Sequence, residues 1–416
     1  MCSRRDCRRG PACYLNRWIC HGFARLLASA DMNTASEPKL LLDWLTPQLP
    51  NMLRTLETFV RSESPSTEKI AADICAQVIA AEWNKRDVAV ELLQQKNRGA
   101  HLRIAYVPGN AKPRSQLLVL GHYDTVYATH TLAKMPFRTA AGRIYGPGVF
   151  DMKAGIVQAL FALDAIQHSG VALAKRIVFL WTSDEEIGSE SSRKLLETEA
   201  LRSDAVFVLE PALGLKGLLK TARKGVGEAE IIVHGCASHA GLAPERGVNA
   251  IHELALQIAL VKKWNDLPRG VSVNVGMVTG GTRPNVIPDH ARAVLDLRAL
   301  RIADMRKIEK RLRGLRPILP GARLAVRGGF SRAPLEHKIS AALFQRAALL
   351  AKRMGLTIGE GTAGGGSDGN LTAALGIPTL DGLGAVGDGA HSPGEYVIAR
   401  TMPQRAALLA ALLLHS

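Results

Sequence analysis

The chain has 416 residues, enough to bury the core of one large domain or of two ordinary ones. Hydrophobic residues make up 47% and charged residues 22%, the balance of a globular enzyme, and no apolar run approaches the roughly 20 residues of a membrane-spanning helix. The formal net charge of +16 favours anionic partners, yet with 5% aromatic residues and no zinc-finger, basic-zipper or glycine–aromatic RNA motif, nucleic acid is not the expected partner.

Residues 1–31 differ in texture from the rest. They hold Arg4, Arg5, Arg8, Arg9, Arg17 and Arg25 against Asp6 and Asp31, with Cys2, Cys7, Cys13 and Cys20 at irregular spacing and no Cys-x-x-Cys pair. Arg17, His21 and Arg25 interrupt every stretch that could serve a signal peptide. The segment is read as a disordered basic extension, with Met32 an alternative start. Cys75 and Cys236 stand alone, as reduced thiols in a cytoplasmic setting do.

Leucine-rich helical patterns cover residues 39–61 and 67–84, and short alternating strands follow at 88–92 and 102–107. Leu117-Leu118-Val119-Leu120 is a buried strand that runs into Gly121-His122-Tyr123-Asp124-Thr125-Val126. His122 and Asp124 point the same way in an extended backbone, so the aspartate can orient the imidazole. Asp151 then sits between the turn Gly146-Pro147-Gly148 and a helix with Ile156, Ala159, Leu160, Leu163 and Ile166 on one face. Taken alone it reads as a helix N-cap.

A second buried strand at 177–181 ends in Thr182-Ser183-Asp184-Glu185-Glu186, three consecutive carboxylates that repel unless something positive lies among them. A third, at 205–209, ends in Glu210-Pro211. Open α/β sheets gather ligands at such carboxyl ends. From about residue 223 the pattern becomes strand, helix, strand, strand, helix, strand: alternation at 228–233, a helix at 248–263, strands at 271–278 and 291–297, a helix at 302–312 and a strand near 323–326. That order describes a ferredoxin-like insert. After about 332 the α/β texture returns, with Gly364-Gly365-Gly366-Ser367-Asp368-Gly369-Asn370 and Gly389-Ala390-His391-Ser392-Pro393-Gly394-Glu395.

His122, Asp151, Glu185, Glu186, Glu210 and His391 form an oxygen- and nitrogen-rich set without cysteine, suited to zinc, with cobalt or manganese as alternatives. The set exceeds what one tetrahedral ion uses, so two ions sharing a carboxylate, roughly 3.5–4 Å apart, are the economical arrangement. A further carboxylate is then needed as general base, and of the adjacent Glu185 and Glu186 one can ligate while the other faces the water.

The ordered motifs Gly-His-x-Asp-Thr-Val, Gly-Pro-Gly-x-x-Asp-x-Lys, Asp-Glu-Glu-x-Gly-Ser, Leu-Glu-Pro, Ala-Ser-His-Ala-Gly and a late His-Ser resemble the dinuclear-zinc metallopeptidase family of glutamate carboxypeptidases (carboxypeptidase G), aminoacylases, acetylornithine deacetylases and succinyl-diaminopimelate desuccinylases. Asp124-Thr125-Val126-Tyr127, Leu132-Ala133-Lys134-Met135-Pro136-Phe137-Arg138 and Gly365-Gly366-Ser367-Asp368 bring the chain nearest to its glutamate carboxypeptidases, from about residue 40 to the end.

The resemblance implies a zinc-peptidase-like α/β catalytic domain of 32–222 and 332–416, its mixed sheet flanked by helices, interrupted by an inserted ferredoxin-like α+β dimerisation domain at 223–331. It makes Asp151 the bridging ligand of two Zn2+, with His122 and Glu210 completing one site and Glu186 and His391 the other. Glu185 becomes the general base and Asp124 the residue that orients His122. It also implies a cis peptide after Asp151 and a homodimer in which His239 reaches the partner's site as an oxyanion donor. Arg298 matches the clamp on a substrate α-carboxylate, Asn285 and Gly366 match substrate-contacting positions, and Arg332 is a candidate reader of an acidic side chain. The implied substrate is a small peptide or N-acyl amino acid, with glutamate the expected product and N-acyl-amino-acid deacylation the alternative. Relatives occur in the cytoplasm and the periplasm. Met152, where relatives often carry an acid, and Ser392-Pro393-Gly394 depart from the pattern and bear on specificity.

Overall fold

The buried runs at 116–122, 176–182 and 203–208 lie at the middle of a six-stranded sheet, in a computed structural model that describes residues 37–108, 113, 115–171 and 173–416. The expected basic extension at 1–31 lies outside the described residues. The sheet order is Ala89–Leu93, His101–Tyr106, Arg176–Thr182, Gln116–His122, Ser203–Val208 and Thr379–Leu380. The last four strands run parallel and the first two pair antiparallel at one edge, which makes the sheet mixed.

Every residue of Gln116–His122 is buried, as expected for a central strand with both faces covered. Leu117 and Val119 join the larger core, and Leu118 and Leu120 join a smaller one with Val178, Leu180, Val206 and Leu371. This is the period-two alternation of a strand. Register sets Leu120 opposite both Leu180 and Val208, so three strands end level and their following residues share one rim.

The helix after Asp151 is Ala154–Ser169, two residues earlier than its first periodic apolar position. It was expected to bury one face. Instead residues on all sides are buried, Val157, Phe161 and Ala165 as well as Ile156, Leu160 and Leu163. It lies between the sheet and the helices Glu37–Leu45, Leu49–Arg61 and Met402–Leu414.

Four strands form a second, antiparallel sheet in the order Ser272–Gly280, His290–Ala299, Gly225–His234 and Arg323–Arg332. The helices Ala250–Lys262 and Ile302–Arg313 pack Leu254, Val261, Ile308 and Leu312 onto Ile231, Val233, Leu295 and Leu297. Strand Arg323–Arg332 is longer than its alternation suggested. Gly328 and Gly329 blank the side-chain pattern, at φ +78° and +150°, yet the ladder runs through them and shifts register only between Phe330 and Arg332. Cys75 is buried and Cys236 exposed, both as free thiols. Among the described residues no helix is long and apolar enough to cross a membrane.

Candidate metal centre

The sheet's carboxyl rim brings His122, Glu185, Glu186 and Glu210 together, and the loops at 146–153 and 389–395 add Asp151 and His391. Asp151 does not cap a helix. It sits in a turn at φ −114°, ψ 97° after Gly148, with a cis peptide to Met152, three residues before the helix begins. Gly148 is itself at φ +70°, and a Cβ there would come within 2.6 Å of Thr125.

The Asp151 carboxylate lies between two imidazoles. Its Oδ1 is 3.2 Å from His122 Nε2 and its Oδ2 is 3.5 Å from His391 Nε2. His122 Nε2 is also 3.4 Å from Glu210 Oε1, and His391 Nε2 is 3.1 Å from Glu186 Oε1. Donor atoms of His122, Asp151 and Glu186 fall within 4.8 Å of one another, as do those of His122, Glu185 and Glu210. Two imidazoles and a carboxylate surplus, with no sulfur, fit a pair of zinc-like divalent ions.

The two histidines differ in exposure: the His122 side chain is 2% exposed and that of His391 50%. Burial pulls His122 down, but Asp124, Asp151 and Glu210 outweigh it and hold its imidazole well above the ordinary value. Hydrogen bonds donated to Asp151 and then to Glu186 push His391 up to about 10. Against burial, the two histidines hold Asp151 far below the usual carboxylate range.

Each of the three consecutive carboxylates has its own partners. Asp184 turns away to accept from Ser191 N–H at 2.7 Å and Ser191 Oγ at 2.8 Å. Glu186 faces His391, and Glu185 pairs with Arg332. Burial pushes the Glu185 carboxyl up to about 8 against the pull of Arg332. Asp124 is fully buried beside His122, but the ring Nδ1 is nearer its backbone carbonyl, at 3.0 Å, than its carboxylate, at 3.4 Å. The carboxylate instead accepts from Ser66 Oγ at 2.7 Å and from the Glu185 and Glu186 N–H groups at 3.3 Å each. The Asp124 carboxylate thus bonds the backbone of both glutamates, while its backbone carbonyl is the nearer partner of the imidazole.

Arg332, expected as a reader of substrate, is turned inward. Besides Glu185 it donates to Ser189 Oγ at 2.6 Å and Asp368 Oδ1 at 3.1 Å. Arg223 donates to Glu210 Oε2 at 3.1 Å, to Asp381 at 2.7 and 3.0 Å, and to the Gly365 and Gly366 carbonyls at 3.2 Å each. Sequence reading missed Arg223 and Asp381. Their only signal was that a rim carrying this many acids needs buried counter-charges. Gly366 thus lies beside the cluster, and a Cβ on it would approach Arg332 Cδ at 3.5 Å.

The other substrate candidates stand apart. Arg298 clamps Asp296, two residues before it on its own strand, at 2.8–3.1 Å. His239 is exposed, and its Nδ1 accepts from Gly241 and Leu242 N–H at 3.1 Å each, which leaves the proton on Nε2. Asn285 offers its carbonyl to Ala240 N–H at 3.0 Å. Among the described residues no hydrogen bond or ion pair joins these three to the acidic cluster.

Residues 118–415 match the profile of Peptidase family M20/M25/M40. Carboxypeptidase G2 of Pseudomonas sp. (strain RS-16) is 31% identical over 388 residues, 90% of this chain and 91% of that protein. Acetylornithine deacetylase of Myxococcus xanthus is 32% identical over 210 residues, 47% of this chain and 53% of that protein. In fold the chain resembles the aminopeptidase PepT of Bacillus cereus, with a TM-score of 0.73 at 22% identity over 88% of this chain and 98% of that one.

Proposed function

From the premise that this chain belongs to peptidase family M20/M25/M40 and is a metal-dependent hydrolase of it, we propose a carboxypeptidase that cleaves a C-terminal amide bond and releases an amino acid, glutamate foremost, from small peptides or N-acyl conjugates. The observation that carries the reading is the single carboxylate of Asp151 flanked by His122 and His391, with Glu210 on one side and Glu186 on the other.

In this reading His122, Asp151 and Glu210 hold one Zn2+ and Asp151, Glu186 and His391 the second. Bound there, the ions would supply Lewis acidity and lower the pKa of the attacking water. Glu185 takes the proton of the attacking water and passes it to the leaving amine, a transfer suited to a carboxyl whose burial already raises its proton affinity. Arg332 holds that carboxylate in place, and Asp124 fixes His122 and the backbone under both glutamates.

Residues 223–331 act as the dimerisation domain in this reading. Strand Ser272–Gly280 is a sheet edge with Met277 61% and Val278 56% exposed, a surface that a second copy would cover. His239 then reaches the partner's site with its Nε2–H as an oxyanion donor. Arg298 exchanges Asp296 for the substrate α-carboxylate, with Asn285 and Gly366 contacting the same ligand. The free thiols favour a cytoplasmic setting.

The likeness to acetylornithine deacetylase supports one second reading, N-acyl-amino-acid deacylation with the same residues. The test is hydrolysis by zinc-loaded protein across N-acyl and peptidyl amino acids, with and without chelator. Chelator-sensitive release of glutamate supports the carboxypeptidase, and selective release of acetate or another small acyl group moves the assignment to the deacylase. No turnover with two zinc ions bound overturns both substrate classes.

A further inference from the structure

Glu395 lies four residues beyond His391 and is fully buried. Among the described residues it has no ion-pair partner, and four neutral donors surround it instead. Its Oε1 accepts from Phe150 N–H at 2.8 Å and from Asp151 N–H at 3.0 Å. Its Oε2 accepts from Gly148 N–H at 3.0 Å and from Tyr127 Oη at 2.7 Å. Tyr127 is also 3.0 Å from the Ser392 carbonyl.

The turn that carries Asp151 therefore wraps a carboxylate that belongs to the loop carrying His391, and the segment that follows His122 and Asp124 closes the ring through Tyr127. Taking a carboxylate out of water without an ion-pair partner in contact is costly unless every acceptor position is filled, and here each oxygen has two donors. A group satisfied in this way tolerates little displacement of any of the three segments.

We propose that Glu395 is a positioning residue that fixes Asp151 relative to His391 and so sets how tightly the centre holds its metal pair. The proposal rests on the metal-centre reading above. Glu395 is not among the proposed ligands. It acts through the backbone N–H of Asp151 and the neighbouring turn.

Glu395→Gln tests it, because the isosteric amide must aim an NH2 group at one pair of donors. Zinc affinity, read by competition with a chromophoric chelator, is expected to fall by about tenfold or more. The visible spectrum of the cobalt-substituted protein is expected to change with it. Glu199→Gln removes another buried carboxylate, held by Gln116 and Arg103 far from the centre, and is expected to lower thermal stability with wild-type zinc affinity and cobalt spectrum. Equal zinc affinity and identical cobalt spectra in wild type and Glu395→Gln overturn the proposal while leaving the metal centre standing. A wild type that binds no zinc overturns the metal centre and the proposal with it. Should Glu395→Gln not fold by circular dichroism, Tyr127→Phe, which deletes one of the four donors, decides: wild-type affinity and spectrum there overturn the proposal.

Discussion

Replacing Glu185 by Gln separates the roles of two adjacent glutamates. The amide keeps the shape of the side chain and can still offer an oxygen to Arg332, which retains Asp368 at 3.1 Å and Ser189 at 2.6 Å. The amide oxygen still accepts from the Arg332 guanidinium, so the bond stays charge-assisted, and removing a carboxyl whose ionisation burial already opposes costs the fold about 1 kcal/mol or less. The loss in catalysis is the whole general-base contribution, about 10²–10⁴-fold in kcat. At about 1.36 kcal/mol per decade that is roughly 3–5 kcal/mol, well above the cost to the fold. The assay pairs kcat on an N-acyl glutamate with metal content by mass spectrometry. Both zinc ions retained, with kcat down at least about 100-fold, is the expected result. Residual kcat above about a tenth of wild type would refute the base assignment. Loss of one zinc would make Glu185 a ligand, a role open to it because it lies near His122 and Glu210.

Zinc binding should release protons. His391 is raised to about 10 and His122 is held above its ordinary value, so the imidazoles favour protons that a metal must displace. Affinity is expected to fall about tenfold per pH unit for each proton displaced as pH drops. Titration calorimetry in buffers of different ionisation enthalpy counts those protons, and a count of zero contradicts the raised proton affinity of the imidazoles. Met277→Lys puts a charge on the exposed edge strand and should turn dimer into monomer by light scattering, and an unchanged mass would exclude that edge as the interface. Gly384→Ala would set a Cβ 2.1 Å from the Leu209 carbonyl and 2.7 Å from that of Glu210. It should cost about 1–3 kcal/mol and weaken zinc binding through Glu210, and wild-type melting and zinc affinity would disprove that coupling.

Much of the centre is legible because three buried apolar runs each end in acid or imidazole, and parallel strands at matched register must bring such ends to one rim. Asp151 is ambiguous from its neighbours alone, since a capping aspartate and a ligand share the same local sequence and only the turn at 148–153 decides where the side chain aims. Arg332 escaped for a different reason. Gly328 and Gly329 blank the alternation that would have carried the strand to residue 332, so nothing local showed that this arginine, matched only by resemblance to a reader of an acidic side chain, ends a strand and pairs with Glu185. Arg223 and Glu395 are visible as residues but not as partners, because their side-chain contacts span from 13 to 268 positions along the chain and no periodicity encodes such pairs. The roles proposed for His239, Asn285 and Arg298 would depend on a second chain and a bound substrate, which local pattern cannot supply.

The all-round burial of Ala154–Ser169 has a consequence for how this protein can change. An amphipathic helix offers evolution an outer face on which substitutions are nearly free. This one offers almost none, since 12 of its 16 residues are buried. Even a methyl group at Gly155 would lie 2.5 Å from the Leu209 carbonyl. The segment that anchors Asp151 is thus close to mutationally frozen, whereas the loop at 389–395, with His391 half-exposed, keeps room for variation at the exposed Pro393 and Gly394. Variation that adjusts this enzyme without dismantling it should accumulate on the His391 side of the pocket.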